Sequence, residues 1–114
     1  MVVNPERILI ESQPITSANS DVTVIVSTCE KKDNLVSFSA LIKSSVDLIT
    51  GNVIRLPWRL KSRLDIVGIG VTSNTTTIIL LLGVPNATLL SRNSGKMTAT
   101  ETYAIQGSYY TDDM

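Results

Sequence analysis

Leu35-Val36-Ser37-Phe38-Ser39-Ala40-Leu41-Ile42 decides the fold class. Along it Val36, Phe38 and Ala40 fall on one side, and Leu35 and Leu41 on the other. That period of two belongs to a strand and not to a helix. Working outward, Asp21 to Cys29 repeats the pattern, with Val22, Val24 and Val26 on one face and Ile25 on the other. Asn52 to Leu56 is a short strand that must stop at Pro57, which has no N–H to give to a ladder. Leu64 to Val71 places Leu64, Ile66 and Gly68 on one face and Asp65, Val67, Ile69 and Val71 on the other. Thr77 to Leu82, Ala87 to Ser91 and Glu101 to Tyr110 complete the set. Between them, a polar turn opening at Asn74, Pro85-Asn86 and Arg92-Asn93-Ser94-Gly95 supply turn chemistry. Ser44 to Thr50, with Val46, Leu48 and Ile49, reads as a turn of helix or a crossing loop.

Composition agrees. Thirteen Ser, thirteen Thr, eleven Val and twelve Ile in 114 residues favour a pleated surface, where β-branched side chains lose little freedom. The expected fold is all-β, a small antiparallel barrel or sandwich of about eight short strands. No internal repeat or Gly/Ser linker divides the chain, so one domain is expected over residues 1–114.

Several function classes are disfavoured by what the chain lacks. Ten basic residues balance ten acidic ones, and the basic residues are scattered, so nucleic acid is not an expected partner. The longest apolar stretch, Ile78 to Leu82, is about four times too short to span a bilayer as a helix, and no membrane role is expected. No histidine is present, which removes the commonest general base and metal ligand. Cys29 is the lone cysteine, near a strand end, and reads as a small buried hydrophobe. Asp112-Asp113 is a carboxylate pair at a terminus, and Asp33-Asn34 and Asp47 are turn residues. Gly68-Ile69-Gly70 lacks the third glycine and following helix of a phosphate-binding fingerprint, and suits a bulge or close packing instead. The expectation is a non-catalytic protein with no cofactor and no metal. A glycan depolymerase would need paired acids on a rigid scaffold, and none is evident.

Two strands are too apolar for a surface sheet, Ile78-Ile79-Leu80-Leu81-Leu82 above all. A strand oily on both faces must be covered twice, by its own core and then by a neighbouring subunit, a second sheet or loops. Trp58, in Leu56-Pro57-Trp58-Arg59-Leu60-Lys61-Ser62-Arg63, would either stack on a sugar ring or lid one end of the core. Tyr103, Tyr109 and Tyr110 have amphipathic tips suited to recognition, though a tyrosine in a closing strand is ordinarily half core.

The second half carries a more specific pattern. Ile49-Thr50-Gly51-Asn52-Val53-Ile54-Arg55-Leu56-Pro57 precedes basic residues, then Ile66-Val67-Gly68, a Thr/Asn-rich stretch, an apolar strand and a Pro-Asn turn. A further strand leads to the close, Gln106-Gly107-Ser108-Tyr109-Tyr110. From about Asp33 to Thr111 this order resembles the C-terminal head domains of phage receptor-binding proteins of the tail fibre or baseplate, the lactococcal siphophage type especially. The resemblance implies a trimeric β head on the virion's tail tip, with residues 1–20 as the lead-in from a neck or shaft. It implies host cell-wall saccharide as ligand, with other copies of the chain and other baseplate or tail proteins as partners. Where some lactococcal heads hold a saccharide, the positions here are near Ile78, Leu80, Leu89 or Leu90, and Tyr103, and only Tyr103 keeps a polar end. The candidate saccharide contacts are therefore Trp58, Arg59, Arg92, Asn93 and Tyr103. The competing expectation is a structural β module of a virion, in capsid decoration or baseplate assembly, with protein partners alone.

Overall fold

The computed structural model describes residues 10–61, 64–71, 77–82, 86–90, 96–99 and 101–112. Among these described residues nine strands follow in order: β1 (Ile10–Ser12), β2 (Thr16–Ser17), β3 (Val22–Lys32), β4 (Leu35–Ser44), β5 (Gly51–Arg55), β6 (Leu64–Gly70), β7 (Thr77–Leu82), β8 (Asn86–Leu90) and β9 (Thr102–Tyr110). They form one antiparallel sheet in the order β1-β3-β4-β9-β6-β7-β8-β5-β2.

That order forces the sheet to curl. Laid flat, its outermost strands would stand about 38 Å apart at ~4.8 Å per spacing. Those strands are β1 and β2, joined through residues 13–15 alone, and four Cα steps reach at most ~14 Å. The two ends must therefore meet, and the segment from Ile10 to Ala18 is the seam. It begins on β3, with Glu11 opposite Lys31, and continues there through the Gln13 N–H to the Cys29 carbonyl at 3.1 Å. It then crosses to β5, pairing Ser17 with Ile54 and donating the Ala18 N–H to the Val53 carbonyl at 3.1 Å. Ile15, at the crossing, is buried. The expected lead-in over residues 1–20 is corrected to this extent: residues 10–18 are built into the sheet, and 1–9 lie outside the described residues.

The interior follows strand parity. On β4, Val36, Phe38, Ala40 and Ile42 are buried and Leu35, Ser37, Ser39 and Lys43 are exposed, as the sequence pattern requires. On β9, Tyr103, Ile105 and Tyr109 point inward, with Gly107 between them on the same side. Phe38 and Tyr109 meet with ring centroids 6.1 Å apart. On β6 Ile66 is buried while Val67 and Ile69 are exposed.

β3 departs from simple alternation. A bulge between Val24 and Val26 adds Ile25 as an extra residue opposite β4. Val26 therefore turns outward with Ile25, while Val22, Ser27 and Cys29 stay on or near the core side. The expectation that Val26 shares a face with Val22 and Val24 fails for this reason: an inserted residue reverses parity beyond it.

Each end of the barrel has its own plug. Leu56, Trp58 and Leu60, after β5, are buried at the end where β9 finishes, and the Lys61 N–H donates to the Tyr110 carbonyl at 3.0 Å. Tyr109 fastens this plug by donating its hydroxyl to the Trp58 carbonyl at 2.7 Å. At the opposite end the 44–50 segment is a crossing loop and not helix. Its Leu48 exchanges backbone hydrogen bonds of 2.9 and 2.8 Å with Met97, which is fully buried.

Candidate functional site

Three of the predicted saccharide contacts, Trp58, Arg59 and Tyr103, fall among the described residues. Trp58 is buried, with the Lys31 ammonium 5.8 Å from its ring centroid, so it is the lid and not a platform for ligand. Tyr103 is also buried, and its hydroxyl oxygen accepts the Thr98 N–H at 3.0 Å. Both placements overturn the reading of these two residues as saccharide contacts, because a ring used for the core has no face left for a ligand. Arg59 is exposed on the loop beside Trp58. Arg92 and Asn93 lie outside the described residues, as do the side chains at Ile78, Leu80, Leu89 and Leu90.

Among the described residues no buried side-chain nitrogen or oxygen lacks a hydrogen-bond partner, and no cluster of three metal-ligating side chains occurs. A site prepared for a ligand inside the barrel would leave polar atoms waiting for it. Cys29 fits the same picture: its thiol is pushed up to about 11, first by burial and then by the charge of Glu30, which leaves it a poor nucleophile. The outer surface carries the side chains that stay open to solvent.

On that surface one aromatic stands alone. Of the five aromatic residues, Phe38, Trp58, Tyr103 and Tyr109 are buried, and Tyr110 is 64% exposed. Strand parity makes the difference, since adjacent residues on β9 face opposite ways and Tyr109 takes the core. Tyr110 pairs with Leu35, which pairs in turn with Lys32, so the three form one outward row across β9, β4 and β3. Asp33 and Asn34 make the two-residue turn above this row. Asp33 sits in the left-handed region at φ 56°, a conformation aspartate tolerates and the tight turn requires.

Together Lys32, Asp33, Asn34, Leu35 and Tyr110 line an open groove of about 400 Å³. Its backbone is held from both sides, by the Thr111 N–H on the Asn34 carbonyl at 2.9 Å and by the Lys61 N–H on that of Tyr110. The groove combines an apolar ring and an aliphatic floor with a carboxylate, an amide and an ammonium. A larger groove of about 470 Å³ runs along Ser12, Gln13, Pro14, Ser27, Thr28, Cys29 and Glu30, but it has hydroxyls and a carboxylate without any aromatic surface. The Tyr110 groove was missed because a Tyr-Tyr pair does not say which member faces out. Fixing Tyr109 as core from the alternation of Tyr103 and Ile105 would have identified it.

No family model, curated protein or solved structure matches the chain. What the fold and groove define is a class: a small all-β module built on one antiparallel sheet, with an open groove beside Tyr110 on its outer face.

Proposed function

We propose that this chain is a non-catalytic saccharide-binding head of the phage receptor-binding kind, attaching a virion's tail tip to host cell-wall glycan. The observation that carries the reading is Tyr110, the one aromatic ring the fold leaves in solvent, set in a groove with Asp33, Asn34 and Lys32. A pyranose has an apolar C–H face and an equatorial rim of hydroxyls. The tyrosine ring takes the first, and the planar carboxylate and amide exchange hydrogen bonds with the second. The tail-tip setting is supported by the resemblance of the segment from about Asp33 to Thr111, and by the all-β fold that this resemblance requires.

The test is binding of the purified chain to cell-wall polysaccharide from a panel of bacteria, followed by calorimetry with the fragment that binds. Tyr110→Ala is expected to weaken binding by roughly tenfold or more, the loss of one buried ring face. Its melting temperature should stay within a few degrees of wild type, because the ring packs on nothing in the core. Saccharide binding unchanged in Tyr110→Ala would sink the site. No binding to any glycan, with capture of another virion protein instead, would favour the structural module.

A further inference from the structure

The outward row at the Tyr110 end of the sheet does not stop at Tyr110. Lys32, Leu35 and Tyr110 follow one another across β3, β4 and β9. On the far side of β9 the Lys61 N–H donates to the Tyr110 carbonyl at 3.0 Å, so the chain at Lys61 lies against Tyr110 as a further strand would. Trp58 and Leu60 turn into the core there, while Arg59 and Lys61 turn out. Asp112 shares the outward parity of Tyr110 across the buried Thr111, and its carboxylate stands 3.8 Å from the Lys61 ammonium. Tyr110 is thus the middle of a row, with Lys32, Asp33 and Asn34 on one side and the Lys61–Asp112 pair on the other.

Resting on the saccharide reading of the Tyr110 groove, we infer that its ligand is an uncharged glycan chain of about three pyranose units, laid across the strands from Lys32 to Lys61 and Asp112. The length follows from the spacing. Lys32 to Lys61 is three steps of ~4.8 Å, roughly 14 Å in all. A pyranose with its bridging oxygen advances a glycan by roughly 5 Å, close to one strand spacing. The middle unit takes the exposed face of the Tyr110 ring, and the outer two reach the polar groups on either side. The charge follows from the pairing of signs. Each ammonium has a carboxylate next to it, Asp33 following Lys32 in the chain and Asp112 beside Lys61, while Arg59 already has a partner. A phosphate or uronate laid here would meet as many carboxylates as ammonium groups, whereas an anion site gathers donors alone. Hydroxyls use both signs: the ammonium groups donate to them, and the carboxylates accept from them. Lys61 and Asp112 are 65% and 76% exposed, and an ion pair so exposed contributes little to stability, so each can exchange the other for a ligand's hydroxyl.

The test uses fragments of one to five units, cut by partial acid hydrolysis from the cell-wall polysaccharide that the purified chain binds. Calorimetry should show affinity rising up to about three units and level beyond, because longer fragments meet no further group of the row. Affinity should change less than about twofold between about 50 and about 500 mM NaCl, since screening has no net attraction to weaken. Lys61→Ala should weaken the three-unit fragment by roughly tenfold, leave the one-unit fragment unaffected and keep the wild-type melting temperature. The inference is overturned by a one-unit fragment bound as tightly as the three-unit one, or by a loss of about tenfold or more at the higher salt. A Lys61→Ala variant that binds every fragment like wild type overturns it equally. Where Tyr110→Ala still weakens binding, those results remove the chain length and charge alone and leave the groove standing. Tyr110→Ala binding like wild type, or no polysaccharide bound at all, removes the saccharide reading and this inference with it.

Discussion

Gly107 shows how much one missing side chain decides. It faces inward on β9 between Ile105 and Tyr109, and a Cβ built there would stand 2.5 Å from Ile66 Cδ1 and 3.1 Å from Phe38 Cζ. The close approach lets Ile66 of β6 reach across beneath β9, where the two strands share only two register pairs, Ile69 with Ala104 and Gly70 with Tyr103. Gly107→Ala should destabilise the fold by about 1–3 kcal/mol by overpacking, measured by urea denaturation, and Ile66→Val should partly rescue it. Additive losses in the double variant would show that the two do not touch. Cys29 offers a second check at this scale. At pH 8 a thiol raised to about 11 is ionised a few hundredfold less than an ordinary one, so iodoacetamide should label it roughly a hundredfold or more slowly in native than in unfolded chain. Equal rates would mean that Cys29 is not enclosed. The burial of Cys29 was legible in the sequence, and so was the lid reading of Trp58. The exposure of Tyr110 was not drawn out, because adjacent identical residues hide which one the core takes.

At the scale of elements, strands with regular alternation were legible, and those with an inserted residue were not. β4 keeps one parity from Leu35 to Ser44, and its inward Val36, Phe38 and Ala40 were readable. β3 changes parity at Ile25, and β5 shifts register between Asn52 and Arg55, where Val53 and Ile54 are both buried. Nothing in a run of valines and isoleucines marks which residue will be the extra one, because all of them suit either face. β1 and β2 are too short for alternation to develop, and their pairing depends on strands distant in sequence. The clasp at the Leu48–Met97 end also had to be seen in space. There the Asp47 carboxylate accepts the Ala99 N–H at 2.9 Å and the Lys96 ammonium at 3.3 Å. The backbone N–H first, and then Lys96, hold its pKa below the ordinary carboxylate value. A lowered folded-state pKa means the clasp contributes stability above the unfolded-state value near ~3.9 and loses it as pH falls through the folded one. Wild type should therefore exceed Asp47→Asn in melting temperature at neutral pH, with the gap closing in acid. A gap that persists undiminished at pH ~2 would remove the carboxylate from the explanation.

At the scale of the whole molecule, the closure of the barrel rests on residues 10–18, and Ile15 is the point where that segment leaves β3 for β5. It is buried there, its N–H donating to Ser27 Oγ at 3.3 Å, while Ile10, in the same segment, is half exposed. The two isoleucines thus separate seam from surface within one stretch of chain. Ile15→Ala should cost about 2–4 kcal/mol, the transfer of a buried side chain plus the cavity it leaves, whereas Ile10→Ala should stay within about 0.5 kcal/mol. The larger effect should also have a distinctive consequence. Loosening the seam exposes the edges of β3 and β5 together, two unpaired rows of N–H and C=O groups of the kind that template aggregation. Ile15→Ala should therefore show faster amide exchange at Gln13, residue 15 and Ala18, whose N–H groups donate across the seam, before global unfolding is reached. Exchange that accelerates uniformly across the sheet, or equal losses for the two isoleucines, would mean that the curl is held by the other strands and that the segment merely lies upon it.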